Sequence, residues 1–322
     1  MCEHRAMTGP EVHLALMGDW GVANFHLASG WIANGLRYRT ARSSTFVVHA
    51  LGPYPTMLDA LLDRTVDVAF AQALVGARWA RAGQPPFAKA HPELVALGVL
   101  PHRDRVLLAL PESTAARLGV RTFAELRARR PALRLTVGER GGLVGAAAEA
   151  LLGAHGIAWD DIPRWGGEWI VVERPQPAIG LVTNDQADGV LFEGIMNWYA
   201  TDAHTPLRIL VPEEASWARL AKAGLERGPL EAREFASLET AVDVVDFSGW
   251  LVAARSDMTD EIARLIATVL VEDRAILESR YRDRPVRESA LRYPIIPRDL
   301  PKTADIPLHP GAAAYYREAG LL

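Results

Sequence analysis

Short apolar runs alternate along the chain with segments whose apolar positions recur every three or four residues. That is the pattern of strands alternating with amphipathic helices. The run "EVHLALMG" predicts a first strand and "ANFHLASGWIANGL" a helix behind it. "STFVVHAL" predicts a second strand, "PTMLDALLDRTV" a second helix opening at Pro55, "DVAFAQ" a third strand and "ELVALGVL" a fourth. The opening of the chain therefore reads β-α-β-α-β, with loops at Gly18–Gly21 and Gly52–Tyr54 on the C-terminal ends of strands. In open α/β sheets that edge is where ligands bind.

The pattern restarts near Arg103. "DRVLLALPE" predicts a strand, and "TFAELRARR" a helix with Thr122 as N-cap and Glu125 completing a capping box. "LRLTVGE" predicts a strand, "GLVGAAAEALLGAHG" a helix closed by Gly156, "QPAIGLVTND" a further helix and "ADGVLFEG" another strand. Between them lies the irregular, Trp-rich "DDIPRWGGEWIVVERP". Near the end, "AVDVVDFSGWLVAA" reads as one long strand and "TDEIARLIATVLVEDRAILESRY" as one long helix capped by Thr259, with Asp260 and Glu261 in its first turn. The organisation expected is a discontinuous first domain, 10–102 plus 243–322, with a second domain, 103–242, inserted. Crossovers near 101–112 and 240–254 would then form a hinge.

Composition narrows the function classes. The chain has 322 residues, 49% hydrophobic and 23% charged, enough for two medium domains with their own cores and too apolar for disorder. Lys and Arg number 35 against 39 Asp and Glu, for a net charge of −4, so no basic face for nucleic acid is indicated. The single cysteine, Cys2, excludes an intrachain disulfide and a thiolate metal cluster. The opening "MCEHRAMTGPEV" lacks the apolar core of a signal peptide, and no run approaches the ~18 apolar residues of a spanning helix. The location expected is cytoplasmic as the chain is written, or periplasmic if a leader has been removed. Dinucleotide, P-loop, zincin and nucleophile-elbow motifs are absent, and no histidine pair has metal-ligand spacing on one helix. No cofactor or metal is proposed.

The tail "IPLHPGAAAYYREAG" resembles the C-terminal signature of the TAXI family, solute receptors of TRAP-type transporters. The likeness extends to "MGDWGVANFHLASGWIANGL", to "TMLDALLDRTVDVAFAQ" and to "LRLTVGERGGLVGAAAEALLGAHGI", so it covers nearly the whole chain. It implies a two-domain α/β fold like that of type II periplasmic binding proteins, with an interdomain cleft, two crossover hinge segments and a small-molecule ligand. A TRAP-type membrane permease would be the partner if the protein is exported. Two departures stand out: the missing leader, and Glu139 and Arg140 where small hydroxyl residues are expected.

On that fold the candidate ligand-binding residues follow. Gly18, Asp19, Trp20 and Gly21 end the first strand, where glycines admit a solute, Trp20 packs on it and backbone N–H groups point at an anion. Arg140, Gly141 and Gly142 form the matching loop of the second domain, with Arg140 suited to a carboxylate. The blander readings are an apolar plug for Trp20 and a solvated Arg140. Tyr54 and Gln72 lie at the ends of the second and third strands. Trp165, Glu168 and Trp169 suit a water-excluding lid or a loop packing its own aromatics. Glu193 ends a very apolar strand, with Trp198 shortly after, and Asp246 flanks the second crossover. His309 is read as a structural turn. The function expected is reversible binding of a small, carboxylate-bearing organic solute. The alternative is an intracellular enzyme, a decarboxylase, lyase or hydrolase, using Glu193 or Asp19, with Glu193 suited to act as an acid or base.

Overall fold

The computed structural model describes residues 9–19, 23–50, 56–194 and 197–322, the side chains of Asn197 and Arg287 excepted. Its residues fall into two units, Met1–His102 with Gly249–Leu322, and Arg103–Ser248.

The first unit begins β1 (His13–Gly18), α1 (Asn24–Arg37), β2 (Thr45–Ala50), α2 (Met57–Leu62), β3 (Val68–Ala71), α3 (Leu74–Ala82) and β4 (Leu94–Leu100). The second runs β5 (Arg105–Pro111), α4 (Glu112–Leu118), α5 (Phe123–Arg129), β6 (Arg134–Val137), α6 (Leu143–Ala154), α7 (Asp161–Arg164) and β7 (Glu168–Val171). It continues with α8 (Pro175–Thr183), β8 (Gly189–Glu193), α9 (Asn197–Asp202), β9 (Leu207–Leu210), α10 (Trp217–Lys222), β10 (Arg227–Leu230) and β11 (Val242–Asp246). The chain then completes the first unit with β12 (Trp250–Arg255), α11 (Asp260–Glu272), α12 (Arg274–Glu278) and α13 (Pro310–Glu318).

The first sheet has the order β2-β1-β3-β12-β4. β1 is parallel to both β2 and β3, and β12 lies antiparallel between β3 and β4. Every residue of β3, "VAFA", is buried, as expected of a strand covered on both faces. Helix α1 buries Phe25, Ala28, Ser29, Ile32 and Leu36, the three-to-four spacing of one face. Ser29 Oγ donates to the Met17 carbonyl at 2.6 Å and ties that face to β1. The second sheet runs β10-β11-β5-β8-β6-β7, with β9 paired to β5. Its β6 is parallel to β7 and β8, and β5 is antiparallel to β8.

The expected capping box forms, Thr122 with Glu125 on α5, and α2 has one as well, Thr56 with Asp59, each satisfying two helix-end donors reciprocally. His309 is a cap too. Its Nδ1 accepts from Gly311 N–H at 3.2 Å, and its Nε2 donates to the Met258 carbonyl at 2.8 Å.

Two expected elements are split. The run "DVVDFSGWLVAA" is two strands, broken at Gly249, whose φ of +85° an L side chain rarely adopts. Because β11 pairs with β5 and β10, the second unit extends to Ser248 rather than ending at 242. The long C-terminal helix breaks at Asp273 into α11 and α12. There Arg39 binds the Asp273 carboxylate at 2.7 and 3.0 Å, and Trp31 Nε1 donates to its carbonyl at 3.0 Å. Partners more than 230 residues away in sequence thus hold the end of α11.

Candidate functional site

In the first unit, β1 and β3 leave the sheet in the same direction and their connections diverge, which makes their C-terminal ends a topological switch point. Gly18 closes β1. A Cβ there would lie 2.6 Å from His26 Nδ1 and 3.1 Å from the His49 carbonyl oxygen, so only glycine lets the loop turn this close to α1 and β2. Asp19 follows, 5% exposed, and its carboxylate accepts from the N–H groups of Phe25 and His26 at 3.1 and 3.2 Å. Ala23, the N-cap, has no side chain able to do this. Asp19 therefore satisfies the first-turn donors of α1 with a negative charge, favourable to the helix dipole. Burial lifts its carboxyl above the usual range, while these two N–H groups act in the opposite direction.

Beside this loop the Tyr281 hydroxyl donates to Asn24 Oδ1 at 3.0 Å. Burial, with the Asp19 charge adding to it, raises the Tyr281 phenol well above its ordinary value. Trp250 stacks on His102 at 4.4 Å and meets Phe25 edge-on at 5.0 Å. His102 is fixed by donating from Nδ1 to the Ala290 carbonyl at 2.6 Å. Gln72, half-buried, follows β3. Trp20, Gly21 and Tyr54 lie outside the described residues.

In the second unit the switch point is at the ends of β6 and β8. Gly142 is the N-cap of α6 and gives it no side-chain acceptor; Gly142 N–H itself bonds to the Glu139 carbonyl at 2.9 Å. Gly145 is where space is tightest, since a Cβ would sit 2.0 Å from the Glu139 carbonyl oxygen. At Gly141 a Cβ would meet nothing within 4 Å.

Arg140 has partners of its own. It bonds to Glu149 at 2.5 and 3.2 Å and lies over the Trp159 ring at 5.5 Å. Trp169 stacks on Trp159 at 4.4 Å and donates its indole N–H to the Trp159 carbonyl at 3.0 Å. Of the two tryptophans of "RWGGEWI", Trp169 thus packs on Trp159. Trp165 closes α7 half-buried, and Glu168 begins β7 exposed to solvent. Arg140 and Trp169 share Trp159 as a partner.

Glu193 and Asp246 join a second grouping. Glu193 ends β8 at 4% exposure, and Asp104, 1% exposed, lies just before β5, which pairs with β8. Glu193 stands opposite Val106, two residues after Asp104, and its side chain acts on the Asp104 carboxyl. Ser248 Oγ accepts from Asp104 N–H at 3.0 Å and lies 2.5 Å from Asp246 Oδ1, where its proton goes. Arg105, buried, donates to the Asp104 and Pro229 carbonyls. Burial drives the Asp104 carboxyl well above the ordinary carboxylate range, against the Arg105 N–H and charge and the Glu193 side chain. Close by, Tyr199 donates to Glu234 at 2.5 Å, and Arg103 reaches the same carboxylate at 3.3 Å. Trp198 is fully buried against Phe235, its indole N–H without an acceptor among the described residues.

Sequence reasoning missed Asp104, Arg105, His26 and Tyr281. "HRDRV" does carry a signal: charges set immediately before a fully apolar strand must find buried partners. Tyr281 offers none, being 257 residues from Asn24. Among the described residues no three His, Cys, Asp or Glu side chains gather as a metal site, and no helix is long and apolar enough to cross a membrane.

Comparison with known proteins bears on this architecture. No curated protein matches the chain. Solved structures match in fold. MatC from Rhodopseudomonas palustris with bound malate aligns at a TM-score of 0.52 and 13% identity, over 85% of this chain and 88% of its own. A Xanthomonas citri protein bound to chloride ion aligns at 0.52 and 12% identity, over 96% of each chain. At such identities the likeness is one of fold, the mixed α/β, two-sheet architecture of periplasmic binding proteins. The sequence itself matches the NMT1-like family over residues 55–320, most of its length, and the chain belongs to that family.

Proposed function

We propose that this protein reversibly binds a small, carboxylate-bearing organic solute. The observation that carries the reading is the recurrence, in each unit, of a glycine-bearing loop between the first strand of a parallel triad and the N-terminus of the helix that follows. Such a loop lets backbone N–H groups approach an anionic ligand. At α6 no side chain caps the helix, so its first-turn donors suit the solute's carboxylate. Fold neighbours that hold malate and chloride agree with an anionic ligand. The finer reading, a receptor of the TAXI kind serving a TRAP-type permease, rests on the tail motif around His309.

The test is a thermal-shift screen of carboxylates, amino acids and aromatic acids, with native mass spectrometry of the freshly purified protein and NMR of each hit over hours. A carboxylate that raises the melting temperature and returns unchanged supports the reading, because a ligand bound only by the folded state stabilises it. No response from any carboxylate overturns it. A hit that is consumed instead favours the enzyme alternative, whose one structural support is the buried carboxyl pair at Glu193.

A further inference from the structure

A histidine at the C-terminal end of a helix is ordinarily favoured in its charged form, because the carbonyl end of the helix attracts a cation. His155, the C-cap of α6, is built the other way. Its Nδ1 lies 2.8 Å from the Leu151 carbonyl oxygen, which can only accept, so the ring proton sits on Nδ1. Its Nε2 lies 3.3 Å from the Glu213 backbone nitrogen, whose N–H can only donate, so Nε2 keeps its lone pair. Two backbone groups thus specify one neutral tautomer, and a second ring proton has to displace the Glu213 N–H. The side chain is 1% exposed and stacks on Phe123, the first residue of α5, with ring centroids 3.9 Å apart. Almost no water is left to hydrate an imidazolium there.

The charged groups facing the ring are divided. The Glu213 carboxylate, from the segment after β9, has one oxygen 3.8 Å from Nε2 and favours a charge on it. Its other oxygen accepts from Ala124 N–H in the first turn of α5 at 2.8 Å. Arg219 of α10 opposes a charge, and its Nε donates to the Ala154 carbonyl at 2.6 Å. Arg127 of α5 lies against the next residue, Gly156, where a Cβ would come within 2.9 Å of its guanidinium. Burial outweighs the Leu151 bond and the attraction of Glu213, and holds the imidazole below its ordinary value.

The position matters, because Glu213 ties several elements at once. Its carboxylate takes a first-turn donor of α5, and its N–H is held at the end of α6 by His155. Its carbonyl accepts from Ser216 N–H at 2.8 Å and opens the single turn Glu214–Ser216 that leads into α10.

We propose that His155 is an acid-released clasp: uncharged at neutral pH, it fastens the end of α6 to α5 and to the segment leading into α10, and a proton on Nε2 undoes the fastening. In the unfolded chain the histidine takes that proton near pH ~6.5, in the folded chain only at lower pH. Between the two values the unfolded state binds more protons. The clasp's contribution is therefore fully present above ~6.5 and lost as pH falls through the folded value.

Urea unfolding of the full chain across a pH series tests this, wild type beside His155→Gln. The glutamine keeps an acceptor for the Glu213 N–H and does not titrate. From pH ~6.5 downward this one group should raise the wild-type unfolding constant by up to ~tenfold per pH unit. The wild type should thus lose stability relative to the variant as the pH falls, and profiles that run parallel overturn the proposal. A second readout needs no variant: the imidazole nitrogen spectrum of the wild type, with the His155 ring assigned through its contacts to Phe123. A proton on Nδ1 alone at neutral pH, with Nε2 taking one only below the ordinary histidine value, supports the clasp. A charged ring at neutral pH, or a proton on Nε2 alone, overturns it. Neither measurement involves a solute, so the result stands apart from the proposed binding function.

Discussion

β1-α1-β2 with β3 in the first unit, and β6-α6-β7 with β8 in the second, share one topology. In both the founding strand lies between the two later ones, and an antiparallel strand, β12 or β5, flanks the third. In both a glycine is followed by an acid, Gly18-Asp19 or Gly138-Glu139. There the likeness ends. Asp19 is buried and turned onto the N–H groups of α1, whereas Glu139 is exposed and α6 has no side-chain cap. The third strand of the first unit runs out into neutral Gln72; that of the second ends in Glu193, inside a carboxyl cluster. One backbone plan thus serves two electrostatic designs: α1 is neutralised by its own chain, while α6 keeps its donors clear of side chains.

Substitutions can break the comparison at its tightest point first. Gly145→Ala places a Cβ 2.0 Å from a backbone oxygen, which cannot swing aside as a side chain can. It should cost about 1–3 kcal/mol, read by urea unfolding, and distort the β6–α6 loop. An unchanged midpoint would mean that the loop yields and the glycine is not required. Next comes Asp19→Ala, which strips α1 of its only carboxylate cap among the described residues and should cost about 0.5–2 kcal/mol. Asp19→Asn keeps an acceptor and should recover most of that loss. Equal losses in both variants would show that the charge, rather than the hydrogen bonds, stabilises α1. The smallest effects belong to the α6 loop. Gly141→Ala meets open space and should stay within ~0.5 kcal/mol of wild type. Arg140→Ala, at an exposed ion pair, should leave the melting temperature where it was. If Arg140 leaves Glu149 to grip the solute, affinity for the screened carboxylate falls in this variant while stability does not; unchanged affinity removes Arg140 from the site.

The alternating pattern reveals the strand–helix order because burial on both faces of a parallel strand leaves a continuous apolar run, as in "DVAFAQ", and local caps such as Thr122 with Glu125 act within one turn. It fails where the deciding contacts are remote. "DVVDFSGWLVAA" is apolar on either side of Gly249, and hydrophobicity alone does not reveal that the chain bends there and changes sheets. The helix of "TDEIARLIATVLVEDRAILESRY" breaks at Asp273 because Arg39 and Trp31 reach it from α1 and the turn after it. The site was legible to the same degree. Glu193 and Asp246 stand out as acids in apolar sequence, but Asp104, which unites them, is hidden in an ordinary-looking "HRDRV".

The place of β12 has a consequence for how the protein is made. It lies between β3 and β4 in the first sheet, yet it is encoded after the whole of the second unit. As the chain leaves the ribosome, β3 and β4 emerge early and must wait through the synthesis of residues 103–248 for the strand that separates them. The second unit, uninterrupted in sequence, has all its strands by Asp246 and can close its sheet first. The nascent first unit meanwhile carries unpaired edges, the feature that invites mispairing. Any slowing of translation just before Trp250 would prolong that exposure.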